Sequence, residues 1–278
     1  CQSHDGASRQ SRGVNLTATM TGLVKQYICV TLSYWAFTLT DGALRMLVLL
    51  FFHGLGYSPL EIASLFLLYE FFGMVTNLYG GWLATRIGLT RTLQIGLGVQ
   101  IVSLIMLLKD PSALTVAYVM LAQALSGIAK DLSKMSAKSS IKALVPDRAQ
   151  SKLYGWIALL TGSKNALKGC GFFIGGALLA WVGFHTTVVI LVTLLIMVLA
   201  AGLFVLETNS GKVSYKPKIR DSLVKTDRVN RLSAARMFLF CARDIWFVVA
   251  LPVYLQSQLA WSYVEVGTLM AAWVIGYG

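Results

Sequence analysis

Apolar residues in this chain come in blocks of about 20, the length that crosses a bilayer as a helix, and each block is closed by a short polar or basic stretch. The first block covers 27–53 and ends in Gly54-Leu55-Gly56-Tyr57. The second opens at Ser58-Pro59-Leu60-Glu61, a capping box with proline at the first helical position, and runs through Glu70 to about residue 84. Further spans are expected over 93–108, from 112 into the basic run at 130–142, over 152–181, from Gly183-Phe184-His185 to 206, over 232–256, and from Ser262 onward. Val145-Pro146-Asp147-Arg148 should break the fourth from the fifth. This divides the chain into a polar N-terminal tail (1–25), a first six-helix half (26–206), a basic cytoplasmic linker (207–231) and the start of a second half (232–278). Residues 1–13 lack the apolar core of a signal peptide and read as a tail or as read-through from upstream.

Composition sharpens this into a class. With 56% hydrophobic and 13% charged residues, the chain is expected to be an all-α polytopic membrane protein whose partner is the lipid bilayer. The net charge of +12 could suggest nucleic acid, but the bases sit in short loops between apolar blocks and form no basic face, so no nucleic-acid partner is expected. The loops after spans two, four and six hold nearly all the lysine and arginine, whereas those after one, three, five and seven hold only Lys109. The positive-inside rule then places the N-terminus in the cytoplasm of a multi-pass protein of the cytoplasmic (inner) membrane. Four cysteines show neither metal-ligand nor disulfide spacing, and no metal or cofactor is expected.

The stretch Gly81-Trp82-Leu83-Ala84-Thr85-Arg86-Ile87-Gly88-Leu89-Thr90-Arg91 should form a short basic loop. It resembles the gate loop after helix two of the major facilitator superfamily, with Gly81, Leu83, Ala84, Arg86 and Gly88 in place. Thr85 stands where that family has an aspartate, and Leu89 and Thr90 stand where it has bases. Gly81, Arg86, Gly88 and Arg91 are therefore gate or topology residues. The chain also repeats itself: Tyr57-Ser58-x-x-Glu61-x-x-x-Leu65 returns as Trp261-Ser262-x-x-Glu265-x-x-x-Leu269 at an offset of 204. With a slip of one residue, Asp41 falls on Asp244. A repeat of the same orientation after six spans is the arrangement of the two facilitator halves. The expected fold is that of the superfamily, with about eight of twelve transmembrane helices present.

Seven ionisable residues fall well inside spans: Asp41, Arg45, Glu70, Lys164, Lys168, Arg243 and Asp244. Each would cost about 2.5–3.5 kcal/mol at a helix centre even on the lenient insertion scale, so they should face a cavity or one another. Asp41 and Arg45, at i and i+4, can pair within one helix, and Arg243 can reach an acid on a neighbour. Pairing does not explain Lys164 and Lys168, like charges on one face roughly 18 and 24 Å into the membrane by helical rise. They repel unless an anion or acids from another helix come between them. Arg45, Lys164, Lys168, Arg243, Lys130 and Asn165 are thus candidate contacts for an anionic small molecule. Asp41, Glu70 and Asp244 are candidate coupling acids or ion-pair partners. Lys130 lies near the cytoplasmic end of its span, where topology alone also places bases. Glycines 169, 171, 175 and 176 read as close helix-packing positions. No catalytic residues are expected, because an intramembrane hydrolase would need a nucleophile with a base, and His53 and His185 fall at outer helix ends.

Four longer blocks are more specific: Thr40-Asp41-Gly42-Ala43-Leu44-Arg45-Met46, Gly56-Tyr57-Ser58-Pro59-Leu60-Glu61-Ile62-Ala63, Gln123-Ala124-Leu125-Ser126-Gly127-Ile128-Ala129-Lys130-Asp131, and Leu160-Thr161-Gly162-Ser163-Lys164-Asn165-Ala166-Leu167-Lys168-Gly169. They resemble the organoarsenical efflux permeases (ArsJ type). The resemblance implies arsenate resistance: a companion glyceraldehyde-3-phosphate dehydrogenase, a pathway partner, joins arsenate to the triose phosphate, and the permease exports 1-arseno-3-phosphoglycerate. Clustered thiols for trivalent arsenite are absent from the sequence pattern, and several lysines and arginines suit a ligand rich in oxyanions. A proton-coupled exporter of other organophosphates or drugs, and a non-transporting fragment, are the alternatives.

Overall fold

The computed structural model describes residues 4–144, 150–206 and 227–277, so the expected break at 145–148 and most of the expected linker lie outside the described residues. Among the described residues every element is helical. Helix α1 (His4–Gly54) starts well before the first apolar block. No proline precedes Pro59, so nothing sterically stops the helix from extending back into the segment read as a tail. Its apolar part, Val24–Gly54, is long enough to cross a membrane. Gly56, at φ 88°, turns the chain into the next helix.

The capping box forms as the spacing requires. The Ser58 amide donates to Glu61 Oε2 at 2.8 Å, and the Glu61 amide donates to Ser58 Oγ at 3.3 Å. The second span is one rod in two pieces, α2 (Pro59–Leu65) and α3 (Leu67–Ile87), hinged at Phe66. The expected basic loop shrinks to a single residue. Gly81 and Arg86 are inside α3, Arg91 is inside α4 (Leu89–Met106), and only Gly88, at φ 100° and ψ 148°, leaves helical geometry. A left-handed φ at that joint is open to glycine and to little else, which is why one residue suffices. A short 3-10 turn (Pro111–Ala113) leads to α5 (Val116–Leu144).

Helix α6 (Gln150–Val205) would be about 84 Å long if straight, more than twice the bilayer's hydrocarbon core. It is broken at Gly183, at φ 80°, and forms the fifth and sixth spans. The seventh span is less regular than its sequence suggests: α7 (Asp227–Arg243) passes into a π-helical turn (Asp244–Ala250) before α8 (Leu251–Leu259). Pro252 cannot donate to the carbonyl four residues back, so the backbone just before it loses its α register. Helix α9 (Tyr263–Tyr277) opens the eighth span with a second capping box, Ser262 with Glu265.

The core is organised around α1, whose residues Ala43 to Leu50 are almost wholly buried. Small residues let its neighbours close in. A Cβ on Gly171 or Gly175 of α6 would run into the backbone of Leu39 or Ala43, and one on Gly42 would lie 2.8 Å from the Lys168 carbonyl oxygen. Gly169 and Gly176 do the same for α9, meeting Ala271, Ile275 and the backbone of Tyr263. The glycines expected to serve close packing do so. Outward, the molecule is apolar: Trp181 is 71% and Phe204 is 91% exposed, as suits a lipid-facing surface.

Candidate functional site

A charged cluster sits where α1, α3 and α5 meet, and glycines set its register. The main chain of Tyr69 on α3 lies against Gly127 of α5 so closely that no Cβ would fit there. One turn along α3, a Cβ on Gly73 would come within 2.9 Å of Asp131 Oδ2 and 3.4 Å of Lys130 Nζ. The two helices are therefore in backbone contact at the level of Glu70 and Lys130, which brings these side chains together.

Glu70 is the shared acid. One carboxylate oxygen takes an ion pair from the Arg45 guanidinium of α1, and the other lies 3.2 Å from Lys130 Nζ of α5. Besides the neighbour that the i, i+4 spacing of Asp41 and Arg45 offers each within α1, the structure gives each a partner on α3. Asp41, 7% exposed, accepts a hydrogen bond of 2.6 Å from the Tyr69 hydroxyl. Lys134 reaches Asp131 at 3.4 Å, a turn further along α5.

Lys164 on α6 is half-buried, and the charges acting on it are those of Lys134, Lys130 and Lys138, opposed by Asp41. It therefore lies within electrostatic reach of the α5 bases and of Asp41. Lys168 is also half-buried, with its ammonium 5.5 Å from the centre of the Phe172 ring. Asn165 between them is half-buried. Arg243 and Asp244 mark the junction of α7 and the π turn, and their side chains lie outside the described residues. Of the gate positions, Arg86 is exposed and stacks on Trp82 at 4.5 Å, and Arg91 is exposed.

Tyr69 is the residue the sequence did not disclose. Fully buried, it holds the Arg45 guanidinium carbon and Lys130 Nζ each 4.1 Å from its ring centroid, and its hydroxyl donates to Asp41. The one available signal was its place next to Glu70 in an apolar span. An aromatic residue in such a segment reads as packing until the positions of Arg45 and Lys130 are known.

Comparisons with known proteins agree on the architecture. The sequence model of the family described as Major Facilitator Superfamily matches residues 27–278. No curated protein matches the sequence. Among solved structures, the chain is similar to tetrameric PepTSo2, with a TM-score of 0.58 at 14% identity over 83% of this chain and 50% of that one. It is similar to a structure from work on proton dependent oligopeptide transporters, with a TM-score of 0.58 at 14% identity over 81% and 50%. It is also similar to the peptide transporter POT in complex with sulfate, with a TM-score of 0.56 at 18% identity over 88% and 48%. At these identities the likeness is one of fold. The chain spans about half the length of these structures.

Proposed function

The chain belongs to the major facilitator superfamily, and on that premise we propose that it is a secondary transporter exporting an organic arsenate-phosphate anion, 1-arseno-3-phosphoglycerate, by alternating access. The observation that carries this reading is the convergence of Arg45 and Lys130, from two different helices, on the single carboxylate of Glu70. Two cations aimed at one half-buried anion form a receptor for an oxyanion that the protein's own acid fills when no ligand is bound. An arriving arsenate or phosphate group offers more acceptor oxygens than a carboxylate and accepts bidentate contacts from Arg45 and a point charge from Lys130.

Lys164, Lys168, Asn165 and Arg243 complete the set of ligand contacts in this reading, and the ligand is the counter-anion that relieves the repulsion around Lys164. A released Glu70, or Asp41 or Asp244, is then free to take a proton, which would link anion movement to a proton gradient. The resemblance of four sequence blocks to organoarsenical permeases favours the arsenate ester over other anions in this reading, with glyceraldehyde-3-phosphate dehydrogenase as the pathway partner. In this reading the protein lies in the cytoplasmic membrane with its N-terminus inside, and 207–231 divides its halves.

The test is accumulation of arsenic by everted membrane vesicles containing the full-length permease. Uptake is expected only when arsenate, triose phosphate and the dehydrogenase are supplied together. Uptake from arsenite, or none under the complete mixture, refutes the proposal. Uptake of stable phosphate esters at the same rate without arsenate would favour the second reading, a proton-coupled exporter of organophosphates or drugs.

A further inference from the structure

We infer that Tyr69 is the positioning residue of the anion site, its ring holding Arg45 and Lys130 side by side while its hydroxyl, anchored on Asp41, holds the ring. The inference rests on the reading above, that Arg45 and Lys130 receive an anion. Two like charges brought to one place repel each other, and Glu70 relieves that only while it is there. Once a ligand begins to displace Glu70, something else must keep the cations together. The face of an aromatic ring attracts cations, and both groups lie 4.1 Å from the Tyr69 centroid. Tyr69 and Glu70 are consecutive on α3, about 100° apart around its axis, so ring and carboxylate reach the same two cations from different sides.

The hydroxyl gives the ring a fixed orientation. It donates to Asp41 at 2.6 Å in a fully buried setting, and a phenol that donates to a carboxylate has a more electron-rich ring. The backbone is fixed as well, because Gly127 lets α5 touch the main chain of Tyr69 itself and Gly73 keeps the two helices close one turn further along. Asp41 thus acts on the anion site through Tyr69, and Tyr69 presents two cations at a set separation with or without Glu70.

The test is isothermal titration of the full chain in detergent with glycerol 3-phosphate, a stable organic phosphate, comparing the parent with Tyr69→Phe, Tyr69→Leu, Asp41→Ala and the double variant Asp41→Ala/Tyr69→Phe. Removing the ring in Y69L should raise Kd at least about tenfold, while Y69F, which keeps it, should raise Kd by about threefold. D41A should match Y69F, and the double variant should be no worse than either, since both break the same hydrogen bond. Tyr69→Met, apolar and adaptable in shape, replaces Y69L if that variant does not fold. Equal losses in Y69F and Y69L, or losses of D41A and Y69F that multiply in the double variant, overturn the inference. Binding by the parent that Y69L leaves unchanged overturns it alone. No binding by the parent overturns it together with the anion-transport reading.

Discussion

Replacing Glu70 by glutamine should weaken the protein and strengthen its grip on anions, and the opposite signs make the test informative. At the 3.2 Å separation from Lys130, the attraction of two unit charges is about 5 kcal/mol at an effective dielectric constant near 20 and about 1.3 kcal/mol in bulk water. The Glu70 side chain is 33% exposed and that of Lys130 24%, which pulls this pair toward the lower figure; the Arg45 side chain is 4% exposed, so its own pair with Glu70 is little screened. Breaking a buried pair by removing one partner costs about 3–5 kcal/mol, and the exposure of Glu70 reduces that to about 2–3 kcal/mol of lost stability. The same change removes the internal competitor, and a gain of about 1.4 kcal/mol in anion binding is tenfold in Kd. Thermal unfolding in detergent, followed by tryptophan fluorescence at increasing glycerol 3-phosphate, reads both effects. E70Q should melt lower than the parent without anion and recover more steeply as anion is added. A variant that melts lower yet binds the anion more weakly would mean that Glu70 orients the cations and does not stand in for the ligand, and the argument would fail.

Three further outcomes follow from the packing and charge distribution. Lys164→Ala and Lys168→Ala should each abolish arsenate tolerance at unchanged membrane abundance and raise the transport KM on the order of tenfold; a loss of abundance would assign them to folding. Gly171→Val should destabilise the α1–α6 contact by about 1–3 kcal/mol, because its side chain would be driven into the backbone of Leu39 and Ala43, and an unchanged melting temperature would contradict that packing. In a cysteine-free background, a cysteine at Lys109 should react with a membrane-impermeant maleimide in intact cells, and one at Arg91 only after permeabilisation; the reverse pattern would invert the topology.

The parts of this fold that could be read from the sequence are those with local causes. The Ser-x-x-Glu capping boxes at Ser58 and Ser262 both form, and the break at Gly183 follows from a glycine between two apolar runs. The charges inside spans announced a site because hydrocarbon makes each of them costly. Their partners were harder to assign, since helical spacing speaks only of neighbours on one helix: it offered Arg45 to Asp41 and said nothing of Glu70 on α3. Tyr69 was out of reach for the same reason. Its role depends on the register of α3 against α5, which Gly127 and Gly73 set by allowing backbone contact, and which no periodicity within either helix encodes. The gate segment misled in the other direction. Its polar residues suggested a loop, whereas one glycine at φ 100° makes the turn and the bases continue as helix.

The one-residue slip in the internal repeat falls across an irregular stretch of helix. From Asp41 to the capping Ser58 is 17 positions, and from Asp244 to the capping Ser262 is 18, while the two capping boxes themselves have the same hydrogen-bond lengths, 2.8 and 3.3 Å. An extra residue inside an α-helix would rotate everything on one side of it by about 100° and carry a charged position from the interior toward lipid. A π turn absorbs an extra residue, because it closes i to i+5 where the α-helix closes i to i+4. The π-helical segment begins at Asp244 itself and ends at Ala250, within the interval that holds the extra residue. From Asp41 to the end of α1 at Gly54 is 13 positions and from Asp244 to the end of α8 at Leu259 is 15, with three residues against two before the capping serine, so the extra length lies in the helical part that holds the π turn, where Pro252 cannot sustain the α pattern behind it. Because π turns occur frequently at functional sites, we propose position 244 as the second half's counterpart of Asp41.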